Sequence, residues 1–151
     1  MQTAALWFDD AALFACAVLA VWHSGGRVLL LPNLARDNLD WGRTADVFLT
    51  DSEDLQSKLS SQTEQRDESR QQLDVQANPP VWHLPDLLAH ASPENPTPAP
   101  EDHLIPDHAE AWLKTSGSSG EAQIIVKTAA QMQAEALTLA NTLPFGQHGE
   151  T

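Results

Sequence analysis

Basic residues are scarce in this chain. Eight Lys and Arg stand against 21 Asp and Glu in 151 residues, a formal net charge of −13. Nucleic acids and anionic membrane surfaces are bound by clustered Lys and Arg that displace counterions from phosphates, and the eight here are scattered. Neither is expected as a partner, and the negative charge serves solubility. Cysteine is rarer still: Cys16 stands alone, which excludes an intrachain disulfide and fits a reducing compartment. Its place inside an apolar run predicts a buried, inert thiol. A membrane-spanning run is also lacking. Residues 11–22 have the length of a signal-peptide core, too short for a bilayer, and Leu13-Phe14-Ala15-Cys16 has the outline of a lipoprotein cleavage box. Asp9 and Asp10 precede the run, with no Lys or Arg, which is the wrong charge for export. A buried helix of a cytoplasmic protein is expected instead.

What is present amounts to one domain's worth of chain in three parts. In residues 1–51, Asp10 caps the predicted helix and Gly25 supplies its left-handed stop. An almost wholly apolar strand follows over residues 27–31, ended by Pro32, as for a strand covered on both faces. After a polar turn over residues 33–43, residues 45–50 read as a second strand, so an α/β layer arrangement is expected. Residues 52–110 form an acidic, Pro-rich variable segment with no assigned chemistry. Leu55 and Leu59 there suit a short surface helix, and beyond Ser60 apolar residues are too few to order the chain firmly. Residues 81–84 read as a strand, residues 87–89 as a helical turn, and residues 92–100 as a proline-rich linker.

The third part, residues 111–151, carries the most informative motif. Two apolar strands, residues 111–115 and 124–127, bracket Thr115-Ser116-Gly117-Ser118-Ser119-Gly120-Glu121, and a helix follows with Thr128 and Gln131 at capping-box spacing. Its predicted apolar face is Met132, Ala136, Leu139 and Ala140. Glycines let the backbone approach an anion and turn successive N–H groups toward it, while hydroxyls add donors, so a phosphate grip is one reading. A plain Ser/Gly turn or flexible linker is the other. A lysine P-loop fails, since no Lys follows Gly120 and the next element is a strand. A nucleophile elbow is only half matched, because Glu121 stands where its last glycine belongs. Among His83, His90, His103 and His108 no pair has the i, i+4 spacing of metal ligands, and they are expected to be solvated surface residues, with His23 at a helix end.

Lys114 through Gln123, followed by Ile124-Ile125-Val126-Lys127-Thr128, resembles the phosphate-loop signature of the AMP-binding, adenylate-forming enzymes: acyl- and aryl-CoA synthetases, nonribosomal adenylation domains and luciferases. Residues 14–33 and 45–51 resemble their helix–strand–strand opening, so the likeness covers roughly residues 6–51 and 111–145. The resemblance implies an α/β fold, the incomplete N-terminal part of such an enzyme's large domain. It implies an ATP-dependent ligase that converts a carboxylic acid to an acyl-adenylate, with Mg²⁺, for transfer to CoA or an acyl carrier protein. Thr115, Ser116, Ser118 and Ser119 would then offer hydroxyls, and Gly117 and Gly120 amides, to the ATP phosphates, with Lys127 as the available cation. No catalytic residue is carried over. Ala122-Gln123 stands where the family has Pro-Lys, and the adenine site, ribose-binding acid and catalytic lysine of the C-terminal portion have no counterpart here. The expectation is an N-terminal fragment inactive by itself, or a non-catalytic remnant or interaction module that keeps only the loop.

Overall fold

The computed structural model describes residues 1–67, 79–90, 105–115 and 122–143. Six strands and five helices follow in chain order. They are β1 (Thr3–Trp7), α1 (Ala11–His23), β2 (Arg27–Leu30), α2 (Arg36–Gly42), β3 (Val47–Thr50), α3 (Glu53–Asp67), β4 (Val81–His83), α4 (Leu84–His90), β5 (Glu110–Thr115), β6 (Gln123–Thr128) and α5 (Ala129–Thr142). The strands form a single sheet in the order β4-β3-β1-β2-β5-β6. All neighbours run parallel except β5 and β6, which are antiparallel. The expected α/β class is therefore observed.

Strand side chains alternate between two apolar layers, as the pleat requires. One face holds Ala4, Leu6, Val28, Leu49 and Ala111 against Ala17 and Trp22 of α1 and Ala129 of α5, with Leu84 of α4 beside them. The other holds Ala5, Leu29 and Phe48 against Leu39 of α2 and Leu55 and Leu59 of α3. Helices on both faces explain why the strands read as apolar runs. They also fix the winding. The connection from β1 to β2 crosses one face, while those from β2 to β3 and from β3 to β4 step the other way across the opposite face, as right-handed crossovers demand.

Several local expectations hold. Asp10 caps α1, its Oδ1 accepting from the N–H groups of Ala12 and Leu13 at 2.8 and 2.9 Å. Gly25 ends the turn after α1 at φ 71°, where a side chain would be strained. At the start of α5, Thr128 Oγ1 accepts from Gln131 N at 3.2 Å and Gln131 Oε1 accepts from Thr128 N at 3.0 Å, a complete capping box.

Others need correction. The helix over residues 11–22 is not buried all round: only Ala17 and Trp22 are, and Cys16 is exposed. Much of its solvent face is alanine, which raises mean hydropathy yet favours helix and is easily left in water. The polar turn at residues 33–43 contains α2, a two-turn helix held by one fully buried anchor, Leu39. Residues 52–110 are more than an excursion, since α3, β4 and α4 lie within them and β4 forms one end of the sheet. α3 runs past Ser60 to Asp67 because a helix anchored at Leu55 and Leu59 propagates readily through Gln, Glu and Arg. On α5, Met132 packs inward, whereas Ala136, Leu139 and Ala140 face solvent. The proline-rich stretch at residues 92–100 lies outside the described residues.

Candidate functional site

Because β1 to β5 are parallel, their carboxyl ends share one edge of the sheet. In an open α/β sheet, ligands enter at that edge where the winding reverses, here between β1 and β3. This crevice is closed from within. The Asp51 carboxylate, just beyond β3, accepts from Asp9 N and Asp10 N, each at 2.8 Å. The donors that a βα turn commonly offers to a phosphate are thus occupied by the chain's own carboxylates, and three aspartates there repel an anion.

Beside it, on the α3 face, lies a polar cavity of about 420 Å³ lined by Thr50, Ser52, Glu53, Gln56, His83 and Asp86, among others. His83 Nε2 is 3.1 Å from the Asp51 carbonyl oxygen and its Nδ1 is 3.0 Å from Asp86, so this imidazole ties the β4–α4 junction to the end of β3. His83 is therefore half-buried and bonded rather than a solvated surface residue. His90 Nδ1 bonds the Asp86 carbonyl at 2.7 Å, while His103 lies outside the described residues. Among the described residues no group of three or more His, Cys, Asp or Glu is arranged to hold a metal ion. Nor is any described helix long and apolar enough to cross a membrane.

Another loop position at this edge follows β5. Thr115 and Gln123 are register partners at the mouth of the β5–β6 hairpin, and Thr115 Oγ1 donates to the Gln123 carbonyl at 3.2 Å. Ser116, Gly117, Ser118, Ser119, Gly120 and Glu121 connect these strand ends and lie outside the described residues. Lys127 is not brought to the mouth. It pairs in register with Ala111, four residues or about 13 Å along β6 from Gln123. Its Nζ lies 2.6 Å from both carboxylate oxygens of Glu135 on α5. The lysine at the mouth is Lys114, whose Nζ donates to the Asp37 carbonyl in the first turn of α2 at 3.2 Å. Its place next to Thr115 on an extended strand was the available signal.

The far end of the hairpin is clamped. Glu110 Oε2 accepts from Trp112 Nε1 and from Arg27 Nε, both at 2.8 Å. The Arg27 guanidinium carbon lies 4.2 Å from the centroid of the Trp112 ring, a cation–π contact. From the opposite face, Trp22 Nε1 donates to the Glu110 carbonyl at 3.1 Å. The Trp112 N–H, followed by Arg27, holds the Glu110 carboxyl below the usual carboxylate range against the opposing pull of burial. This cluster fixes β5 to β2 and α1 at the end of the hairpin opposite its loop.

No protein family, characterised protein or solved structure matches the chain on comparison.

Proposed function

We propose that this chain supplies the triphosphate-gripping part of an adenylate-forming ligase, acting on ATP and a carboxylic acid with CoA or an acyl carrier protein as acceptor. The single observation behind the reading is the position of the sequence Thr115 to Gly120. It leaves the carboxyl end of a strand in a parallel sheet and returns through an antiparallel partner, on a mount clamped by Glu110, Arg27 and Trp112. Closure of the β1–β3 crevice by Asp51 supports it too, since it leaves the hairpin mouth as the edge position with hydroxyls, glycines and a lysine.

In this reading the hydroxyls of Ser116, Ser118 and Ser119 and the amides of Gly117 and Gly120 bond the β- and γ-phosphates. Lys114, with protons left over from its bond to Asp37, adds positive charge at the mouth. Such fixed donors orient the leaving pyrophosphate and stabilise charge as it develops on it. The described residues offer Mg²⁺ no carboxylate cage, so the ion would arrive on the ATP phosphates, as Mg²⁺ commonly does. A second reading, a non-catalytic module that keeps the loop, is favoured by the pairing of Lys127 with Glu135 away from the mouth.

The test is an NMR titration of the 151-residue chain with Mg–ATP and with pyrophosphate. Shifts of the Gly117 and Gly120 amides are expected, with a Kd of about 1 mM, equivalent to about −4 kcal/mol. Ser118→Ala with Ser119→Ala should remove them. Loop amides unmoved by either ligand would overturn the reading. Because the ligase reading expects the isolated chain to be inactive, ATP–pyrophosphate exchange over a panel of carboxylic acids is measured after joining it to the C-terminal portion of an adenylate-forming enzyme: exchange marks the ligase, binding without exchange the module.

A further inference from the structure

The two edges of the sheet are treated differently. β4 is three residues long and is preceded by Pro79 and Pro80, which lack N–H groups; the Pro80 carbonyl already accepts from Phe48 N at 2.9 Å. Short length and prolines are how an edge strand is kept from pairing with another chain. β6, at the opposite edge, has six residues, Gln-Ile-Ile-Val-Lys-Thr, with no proline, glycine or inward charge. Its aliphatic side chains stand in solvent: Ile124 is 47% exposed, Ile125 43% and Val126 44%. They occupy both faces, Ile125 opposite Leu113, and Ile124 and Val126 opposite Lys114 and Trp112.

Self-complementarity of the strand selects the occupant, at a place where the repulsion between copies is weakest. In a chain of net charge −13, copies repel one another over most of their surface. β6 bears one charged residue, Lys127, whose ammonium is neutralised by Glu135. The strand is also close to palindromic about Ile125. Antiparallel pairing with itself sets Ile125 against Ile125, Ile124 against Val126, and Gln123 against Lys127, so no like charges meet and β-branched pairs line both faces. From this we propose that β6 pairs with β6 of a second copy about a two-fold axis at Ile125, joining two six-stranded sheets into one. Such an isologous contact closes at the dimer, whereas β6 pairing with β4 of the next copy would grow without limit and is blocked by the prolines.

Sedimentation equilibrium of the full chain should give a monomer–dimer transition with Kd on the order of 10 µM. Ile125→Lys brings two lysines face to face across the axis and is expected to weaken the dimer at least about tenfold. Ile125→Glu should do the same. Because Ile125 is 43% exposed, either charged side chain reaches water and circular dichroism should match the parent. Mixing the two variants should restore a dimer containing one of each. A parent monomeric up to about 1 mM, dimerisation insensitive to Ile125→Lys, no restoration on mixing, or open-ended association would each overturn the proposal.

Discussion

Replacing Asp51 with alanine removes a side chain that ties the end of β3 to the turn between β1 and α1. Its carboxylate accepts two backbone N–H bonds, from Asp9 and Asp10, both at 2.8 Å. Hydrogen bonds to a charged group contribute about 1.5–3 kcal/mol each, and solvent access places these at or below the lower limit, since water can replace the carboxylate. The loss is therefore expected to be about 2–3 kcal/mol. At roughly 3 °C per kcal/mol for a chain of this size, the midpoint should fall by about 6–9 °C. The Asp10 cap on Ala12 and Leu13 and the His83 bond to the Asp51 carbonyl use other atoms and should survive. Asp51→Asn keeps the shape but turns an NH₂ group toward one of the two donors, so it should lose nearly as much as alanine. Urea denaturation with an unchanged m-value measures the loss, and hydrogen exchange at the Asp9 and Asp10 amides, faster in both variants, localises it. A loss below about 0.5 kcal/mol in Asp51→Ala, or an Asn variant as stable as the parent, would refute the carboxylate's role as the tie.

Two further outcomes follow from the cores and the clamp. The Glu110 carboxyl titrates below the ordinary carboxylate value, so its stabilising effect is fully present above about pH 4.3 and is lost as pH falls through the lowered value. The stability difference between the parent and Glu110→Gln should be constant near neutrality and shrink in acid; a difference that grew toward acid would refute the ion pair with Arg27. Gly42, at the end of α2, sits against the buried Phe48, and a Cβ there would lie 2.7 Å from one ring carbon and 2.9 Å from another. Gly42→Ala should therefore destabilise by about 1–2 kcal/mol in thermal or urea unfolding, overpacking outweighing the gain in helix propensity. A more stable variant would contradict this packing.

The elements legible in the sequence were those with a complete local signature. Asp10, Gly25 and the Thr128–Gln131 pair mark helix ends by bonds within a few residues, so each can be read without the fold. The β5–β6 hairpin was legible for the same reason, as two apolar strands around a Gly/Ser run. β1 escaped, although it lies at the heart of the sheet: Thr-Ala-Ala-Leu-Trp is a weak strand pattern in which two small alanines are buried by neighbours contributed from elsewhere in the chain. α2 escaped because one anchor, Leu39, shows no period.

Around the candidate site the division is sharper. The sequence alone determined that Thr115 to Gly120 follows one strand, precedes another and supplies hydroxyls and glycines, because those residues are contiguous along the chain. Only the tertiary structure decided which cation stands at its mouth. Strand geometry carries Lys127 about 13 Å away to Glu135 and leaves Lys114 beside Thr115. Likewise, only the fold brings Asp51 to the amides of Asp9 and Asp10, 42 and 41 residues away, closing a crevice that local sequence cannot reveal. Short-range bonds are written in adjacent residues; contacts between parallel strands depend on crossovers that the adjacent residues do not encode.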